Sequence, residues 1–167
     1  QRHGVSVDHT VYGPERMGIY FLEHGSSVRA SQVIYDRAGS AFAFLKPLMF
    51  DWNEILKDTA WFHWSGITPA ISQDAATACS EAIQTARKLG VKVSGDINYR
   101  RNLWQYGKGP RDIMPDLIGS SEIIVGGLTD FENCLGISSS DFSDAAQQIM
   151  KKYPGVKKIA TTYRETI

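Results

Sequence analysis

From Ala60 onward, short apolar runs alternate with segments of helical spacing, and this alternation constrains the fold more than any other feature. The apolar runs are AWFHWSGI, VKVSGDINY, SEIIVGG and VKKIATTY, and predicted helices separate them, the longest being DAATACSEAIQTARKLG. A β-α-β-α-β-α-β order of this kind favours a parallel sheet joined by right-handed crossovers. We therefore predict an α/β fold, a parallel sheet with helices on both faces. The continuously apolar AWFHWSGI predicts a strand covered on both faces, with His63 hydrogen-bonded in the core.

The segment before this alternation has a different pattern. Two apolar, β-rich runs, Met17 to Glu23 and Gln32 to Asp36, are separated by HGSSVRAS, a loop rich in glycine and serine. This arrangement predicts a β-hairpin in a small sheet of its own. Further along, Asp51 precedes an apolar run and Glu54 follows three residues later, as in a helix with a capped N-terminus.

Charge, apolar content and cysteine usage exclude several classes of function. The 18 basic and 18 acidic side chains cancel, so we expect no nucleic-acid partner. No apolar run approaches the roughly 18 residues of a membrane span, so we expect no membrane partner. Cys79 and Cys134 lie far apart in helical contexts and predict buried free thiols of a cytoplasmic protein. The four histidines lack ligand spacing, and we predict no metal site among them.

The predicted topology indicates where a ligand would bind. In open α/β sheets, ligands bind beyond the carboxyl ends of the strands. Four loops occupy that position, namely SGITPA, GDINYRRNLW, GGLTD and TYRET.

The loop GDINYRRNLW has the densest set of polar side chains. Asp96 and Asn98 alternate along a strand that we expect to continue as far as Tyr99, so both would face one side, with Arg100 following on that side. An arginine at a strand end offers a planar fork that suits a carboxylate or a phosphate. The alternative is structural: Asp96 and Arg100 pair to fix the loop, and Trp104 fills the core.

The segment YDRAGSA raises the same choice for the hairpin. Tyr35 and Arg37 are expected on one face, with Tyr20 on the neighbouring strand and Gly39 where the backbone could approach a ligand closely. Two phenols and a guanidinium could close over a small anionic molecule. The alternative is an exposed sheet face that carries amphipathic side chains.

The motifs MGIYFLE, VIYDRAGSA, AWFHWSGITPA and DINYRRNLW, in this order and at these spacings, resemble the ribokinase-like sugar kinases. Within that family they are most similar to the 2-keto-3-deoxygluconate kinases. The resemblance runs from about residue 11 to the end of the chain. It implies ATP-dependent phosphorylation of a keto-deoxy sugar acid, with Mg as the accompanying ion.

The resemblance also implies a division of the chain and a set of site residues. Residues 1–167 would be one incomplete kinase domain, with lid strands in 11–38 and an α/β core portion in 46–167. The lid would mediate homo-oligomer formation. The residues implied to bind the substrate are Tyr20, Tyr35, Arg37 and Arg100. Asp96 and Asn98 are implied to support the loop on the phosphate side.

The sequence departs from the family pattern in three places. The glycine-rich sugar-binding segment that precedes the matched part, and the GAGD motif that follows it, are not in these residues. Gly127-Leu128 stands where the family tends to have an Asn-Glu pair. We therefore expect no catalytic residue here, a base beyond Ile167 and an inactive isolated chain. The alternatives are a kinase for another sugar such as fructose, or a non-catalytic lid and dimerisation module.

Overall fold

The structure, a computed structural model, describes residues 3–163 and contains two separate sheets. The first is a two-stranded antiparallel sheet, and the second is a four-stranded sheet with the order β3-β4-β5-β6 and all pairs parallel. The predicted α/β class with a parallel sheet and a small extra β sheet is confirmed. The strands are β1 (Ile19–Glu23), β2 (Gln32–Asp36), β3 (Trp61–Ser65), β4 (Lys92–Asp96), β5 (Ile123–Val125) and β6 (Lys158–Ala160).

Six helices connect and cover these strands in the described residues. Side-chain caps begin several of them, and the Asp51 carboxylate accepts a hydrogen bond from the Glu54 amide at 3.1 Å, as its sequence predicts. Gly90, the last residue of the predicted helix DAATACSEAIQTARKLG, has φ +72° and terminates the longest helix. The helices are α1 (Trp52–Leu56), α2 (Ile67–Ile71), α3 (Gln73–Lys88), α4 (Pro110–Gly119), α5 (Leu128–Leu135) and α6 (Phe142–Lys152).

Helix α2 was not predicted from the sequence. Its five residues include Pro69, which usually interrupts helices. Here the proline lies in the first turn, where its missing N–H would have no partner within the helix. The sequence TPAIS therefore forms one short helical turn directly after β3, and it brings Ile67 close to the carboxyl end of the sheet.

The described helices cover one face of the parallel sheet. Trp64, Val93 and Ile124 point to this face and form a buried cluster with residues of α3, α4, α5 and α6. On the opposite face, Trp61 and Lys158 are exposed. We expected helices on both faces. Since every strand neighbours the next one in the chain, right-handed crossovers all step in the same direction and leave their helices on the same side.

The strand β3 differs from its prediction. It lies at the edge of the described sheet, and its residues alternate in burial, with Trp64 buried and Trp61 45% exposed. The expectation of a strand covered on both faces is therefore wrong for this chain. His63 is exposed and not in the core, although its Nδ1 lies 2.8 Å from the Ser94 hydroxyl oxygen, within hydrogen-bonding distance.

The cysteines behave as the sequence predicts. Cys79 in α3 and Cys134 in α5 are buried free thiols. Burial raises the pKa of Cys79 to about 12. Burial, reinforced by the nearby Asp130 carboxylate and opposed by Arg111, raises the pKa of Cys134 to about 12. Neither thiol is therefore ionised at neutral pH.

The hairpin of β1 and β2 forms within the segment predicted as lid strands. Tyr20 pairs directly with Tyr35, and Phe21 with Ile34. All but one of the hairpin's ten strand residues are exposed. The face with Tyr20, Leu22, Val33 and Tyr35 is apolar or aromatic throughout, whereas Phe21 and Ile34 share the opposite face with Glu23, Gln32 and Asp36. Across residues 3–163, no helix has the length and apolar character needed to cross a membrane.

Candidate active site

The loops at the carboxyl ends of β3, β4 and β5 are tied together by backbone hydrogen bonds. The Gly66 amide donates to the Asp96 carbonyl at 2.8 Å, and the Ile97 amide donates to the Val125 carbonyl at 2.9 Å. A side chain at Gly66 would place its Cβ 1.9 Å from the Ile97 carbonyl oxygen. Glycine is therefore required here, because the two loops approach each other more closely than any Cβ allows. In the fourth predicted loop, Arg164, Glu165 and Thr166 lie outside the described residues.

Asp96 and Asn98 do not alternate along an extended strand, so that prediction is wrong. β4 ends at Asp96, and Asn98 has a left-handed backbone with φ +41°. The Asp96 carboxylate accepts a hydrogen bond from the Asn98 amide at 3.2 Å, which turns the chain locally. The Asn98 side-chain amide donates to the Ser65 hydroxyl at 3.3 Å. Both side chains therefore contact the loop itself or its neighbour β3.

Arg100 makes no ion pair with Asp96. Its guanidinium donates to the carbonyl of Tyr99 at 3.3 Å, and its side chain is exposed. The ion pairs found within residues 3–163 involve other arginines and a lysine. The structural alternative in which Asp96 and Arg100 pair to fix the loop is therefore wrong. Among the described residues, no carboxylate forms an ion pair with Arg100.

Tyr35, Arg37 and Arg100 meet at one cavity of about 320 Å³, between the end of the hairpin and the loop after β4. The hairpin supplies the first two of these residues, and the parallel sheet supplies the third. Tyr20 does not line the cavity, but its ring centroid lies 6.2 Å from that of Tyr35. The remaining lining residues are Ile67, Asn98, Arg101, Asn102 and Leu103.

The charge of this cavity is positive. Three arginines line it and no carboxylate does. The Arg37 guanidinium carbon lies 4.2 Å from the centroid of the Tyr35 ring, a stacking distance that favours a fixed position for the cation. Guanidinium groups from two separate parts of the chain can bind one carboxylate or phosphate between them. The arrangement is therefore suited to a small anionic ligand.

Several residues that shape this site were missed by the sequence analysis. Asp130, the third residue of α5, accepts hydrogen bonds from the Gly127 amide at 2.8 Å and from the Tyr99 amide at 3.1 Å. It thereby connects the loop after β5 to the residue next to Arg100. An acidic residue in the first turn after a Gly-Gly pair is a signal that could have indicated this cap. Leu128, which stands where the family tends to have a glutamate, packs against the hydrophobic core.

The end of the loop after β4 is held by two aromatic residues. Trp104 has φ +30°, an unusual backbone for a bulky residue, and its amide donates to the Ala70 carbonyl at 3.1 Å. The Tyr106 hydroxyl donates to the Pro69 carbonyl at 2.6 Å. Burial, with a smaller contribution from Asp112, raises the pKa of Tyr106, so the phenol keeps the proton that it donates. The loop carrying Arg100 is thus anchored to α2.

Several known proteins are similar to this chain in sequence or in fold. No family model matches it. A curated protein of Haloferax volcanii, 2-dehydro-3-deoxygalactonokinase, is 36% identical over 122 residues, which are 72% of this chain and 37% of that protein.

Two solved structures match nearly the full chain. A 2-dehydro-3-deoxygluconokinase from Thermotoga maritima is 36% identical with a TM-score of 0.90, and the match covers 99% of this chain and 51% of that one. A PfkB family carbohydrate kinase from Listeria grayi is 32% identical with a TM-score of 0.89, over the same shares. The chain thus spans about half the length of these solved structures. Over the part of their fold that the chain spans, its predicted resemblance to the carbohydrate kinases is therefore confirmed in both sequence and fold.

Proposed function

We propose that the full-length protein containing this chain transfers the γ-phosphoryl group of ATP to a keto-deoxy sugar acid, with 2-keto-3-deoxygluconate as the substrate. The observation that carries this proposal is the meeting of Arg37 and Arg100 at one cavity that no carboxylate lines. A sugar acid presents one carboxylate and several hydroxyl groups, which match guanidinium and phenol donors. The kinases named for such acids among the similar proteins support the same substrate class.

We assign the site residues to separate roles. Arg37 and Arg100 bind the substrate carboxylate from the two sides of the cavity. Tyr35 and, beside it, Tyr20 present phenol groups to the sugar hydroxyls from the hairpin, so that the residues 11–38 act as a lid over the core portion 46–167. Asp96 and Asn98 hold the loop that carries Arg100. These contributions are binding and orientation, which account for much of the catalysis in phosphoryl transfer.

ATP and Mg enter the proposal only through the full-length protein. In the part of the chain that the structure describes, no three His, Cys, Asp or Glu side chains cluster as metal ligands would. The sequence has no glycine-rich phosphate loop of the GxxxxGK[ST] type. We therefore assign the nucleotide and magnesium sites to the full-length protein and only substrate binding and orientation to these residues. We assign the catalytic base to a GAGD-type motif outside these 167 residues.

Substrate preference tests the proposal. The full-length protein should phosphorylate 2-keto-3-deoxygluconate far better than fructose or ribose, measured by coupled ADP release. Arg100→Ala should lower kcat/KM for the sugar acid, because a charge-assisted contact is lost. The decrease should correspond to about 1.5–3 kcal/mol of lost binding free energy in the transition state. Arg87→Ala, an exposed arginine on α3, is the matched control and should change nothing. Equal activity on fructose and insensitivity to Arg100→Ala would favour a kinase for a neutral sugar.

The open hairpin favours a second role, association with another copy of the chain. A two-stranded sheet has little stability alone, and here exposed apolar side chains lie on both of its faces. Pairing the face that carries Phe21 and Ile34 with the same face of a second copy would cover these apolar side chains in both copies. We therefore propose that the protein forms homo-oligomers through this hairpin.

A further inference from the structure

The base of the hairpin is its packed part. All but one of the ten strand residues are exposed, so few side-chain contacts hold the strands themselves against the rest of the chain. At the base, Arg16 forms a parallel β-bridge with Ser40, and the Ala41 amide donates to the Arg16 carbonyl at 3.0 Å. Ser40 is only 1% exposed. The orientation of the hairpin therefore depends on the place where the chain enters and leaves it.

The Arg16 side chain adds a second set of contacts at the same place. Its guanidinium forms an ion pair with Asp36, the last residue of β2, and donates to the Ala38 carbonyl at 2.6 Å. The same group donates to the carbonyl of Met17 at 3.3 Å. Backbone and side chain of this one arginine therefore join the chain that enters the hairpin to the chain that leaves it.

The contact at Asp36 also bears on the cavity. Asp36 lies in the sequence between Tyr35 and Arg37, the two hairpin residues that line the cavity. Successive residues of a strand point to opposite faces, so the Asp36 side chain lies on the face opposite to that of Tyr35. A contact that fixes Asp36 on its own face therefore also fixes the direction in which its neighbour Tyr35 points.

We propose that Arg16 is a positioning residue: by holding the base of the hairpin, it keeps Tyr35 and Arg37 at the cavity, opposite the loop after β4. Without its contacts the hairpin would sample several orientations, and only a fraction of the molecules would present both side chains to a ligand. The apparent dissociation constant of the ligand rises as that fraction falls. The identity of the ligand as a sugar acid rests on the proposed function, whereas the anchoring of the hairpin does not.

Hydrogen exchange tests the anchoring without a substrate. In the full-length protein, Arg16→Ala should raise the exchange rate of the backbone amides in residues 35–41 about tenfold, as expected when a charge-assisted contact no longer opposes local opening. Arg16→Lys keeps the charge but has no planar fork, so its increase should be smaller. It also carries the test if the alanine variant fails to fold. Unchanged exchange in both variants would overturn the anchoring, whatever the substrate is.

Kinetics connect the anchoring to ligand binding. Arg16→Ala should raise the KM for 2-keto-3-deoxygluconate about fivefold or more, with kcat and the KM for ATP unchanged, because a saturating ligand selects the competent orientation. Asp36→Ala should raise the same KM, since it removes the ion pair at the base. A lower KM in Asp36→Ala would overturn the proposal, because it would show that the charge of this carboxylate matters and its anchoring does not.

The double variant of Arg16→Ala and Asp36→Ala provides a further check. Both changes remove the same contact, so the double variant should have a KM no higher than that of Arg16→Ala alone. Effects that multiply in the double variant would show that the two residues act independently, which contradicts a shared role in holding the base.

Arg29, in the loop between the two strands, is a matched control. Its guanidinium also contacts a carboxylate and a carbonyl, those of Glu23 at 2.6 Å and of His24 at 3.4 Å, but at the other end of the hairpin. Arg29→Ala should leave the exchange of residues 35–41 and the KM unchanged, and effects equal to those of Arg16→Ala would contradict the proposal. If the unaltered full-length protein does not turn over the sugar acid, the proposed function fails, and the exchange rates still decide the anchoring.

Discussion

The Arg37 guanidinium stacks on the ring of Tyr35, with 4.2 Å between the guanidinium carbon and the ring centroid. The stacked pair lies on the cavity side of the hairpin, and Arg100 faces it from the loop after β4. Stacking leaves the edge of the guanidinium and its N–H donors free for a ligand. The ring therefore serves as a support for a charge, in addition to any hydrogen bond that its hydroxyl makes.

Substitutions at Tyr35 separate these two contributions. Tyr35→Phe keeps the ring and removes the hydroxyl, and Tyr35→Leu removes both. The KM for the sugar acid should be higher in the leucine variant than in the phenylalanine variant by about two- to fivefold, which corresponds to about 0.5–1 kcal/mol for a partly exposed cation–π contact. Equal KM values in the two variants would show that stacking contributes nothing to binding.

The exposed hairpin predicts a change of mass on substitution. Phe21→Glu places a charge on the open face that Phe21 shares with Ile34. Burying that charge in an interface is costly, so the variant should be monomeric where the unaltered protein is an oligomer. Sedimentation equilibrium of the full-length protein measures this. Tyr12→Glu, at an exposed aromatic residue outside the hairpin, should leave the mass unchanged. A monomeric unaltered protein would contradict association through the hairpin.

A buried hydrogen bond predicts a loss of stability. The Trp64 indole N–H donates to the Ser121 hydroxyl at 2.9 Å, and that hydroxyl donates to the Leu117 carbonyl at 2.9 Å. Ser121→Ala leaves the indole N–H without a partner in the core and should lower the free energy of unfolding by about 1–3 kcal/mol. Urea unfolding measures the loss. Ser120→Ala, at the more exposed neighbouring serine, should cost under about 0.5 kcal/mol, and equal losses would refute the role of Ser121.

The buried thiols predict how stability varies at high pH. Folding raises the pKa of Cys79 and of Cys134 to about 12, from 9.0 for a free thiol. Between these values the unfolded chain loses thiol protons that the folded chain keeps, so the free energy of unfolding decreases as pH rises. Below about pH 9 this contribution is fully present. Urea unfolding at about pH 7.5 and about pH 10 should show the decrease, and Cys79→Ala should reduce its slope. The same slope in the alanine variant would contradict the assignment to Cys79.

The helices and strands were predictable because the spacing of apolar residues and the residues that cap helices are local signals in the sequence. The Asp51 side chain begins a helix, the backbone freedom of Gly90 ends the longest helix, and the apolar runs after Ala60 each formed a strand. The failures lie where tertiary contacts override local pattern. Residues two apart, such as Asp96 and Asn98, lie on one face only where the chain is extended. The turn at Asn98 ends the extended segment.

The site residues show the same division. Tyr35, Arg37 and Arg100 could be chosen from the sequence because the motifs VIYDRAGSA and DINYRRNLW resemble those of the sugar kinases, and the structure brings the three residues to one cavity. Ile67 could not, since its place depends on the one-turn helix after β3. Asp130 was predictable only as a helix cap, since its second hydrogen bond, from the Tyr99 amide, joins two loops. Spacing along the chain carries no information about such contacts between loops.

The strand order β3-β4-β5-β6 has a consequence for how the sheet assembles. Each strand pairs with the one synthesised immediately before it, so every strand after β3 finds a partner that has already left the ribosome. Every crossover also adds its helix beside the previous one, and the buried layer extends from one edge of the sheet to the other. Assembly can therefore follow translation from the amino-terminal side. Pulse-labelling hydrogen exchange on stalled chains should show protection in β4 before β6 has been made, and simultaneous protection of all four strands would refute this order.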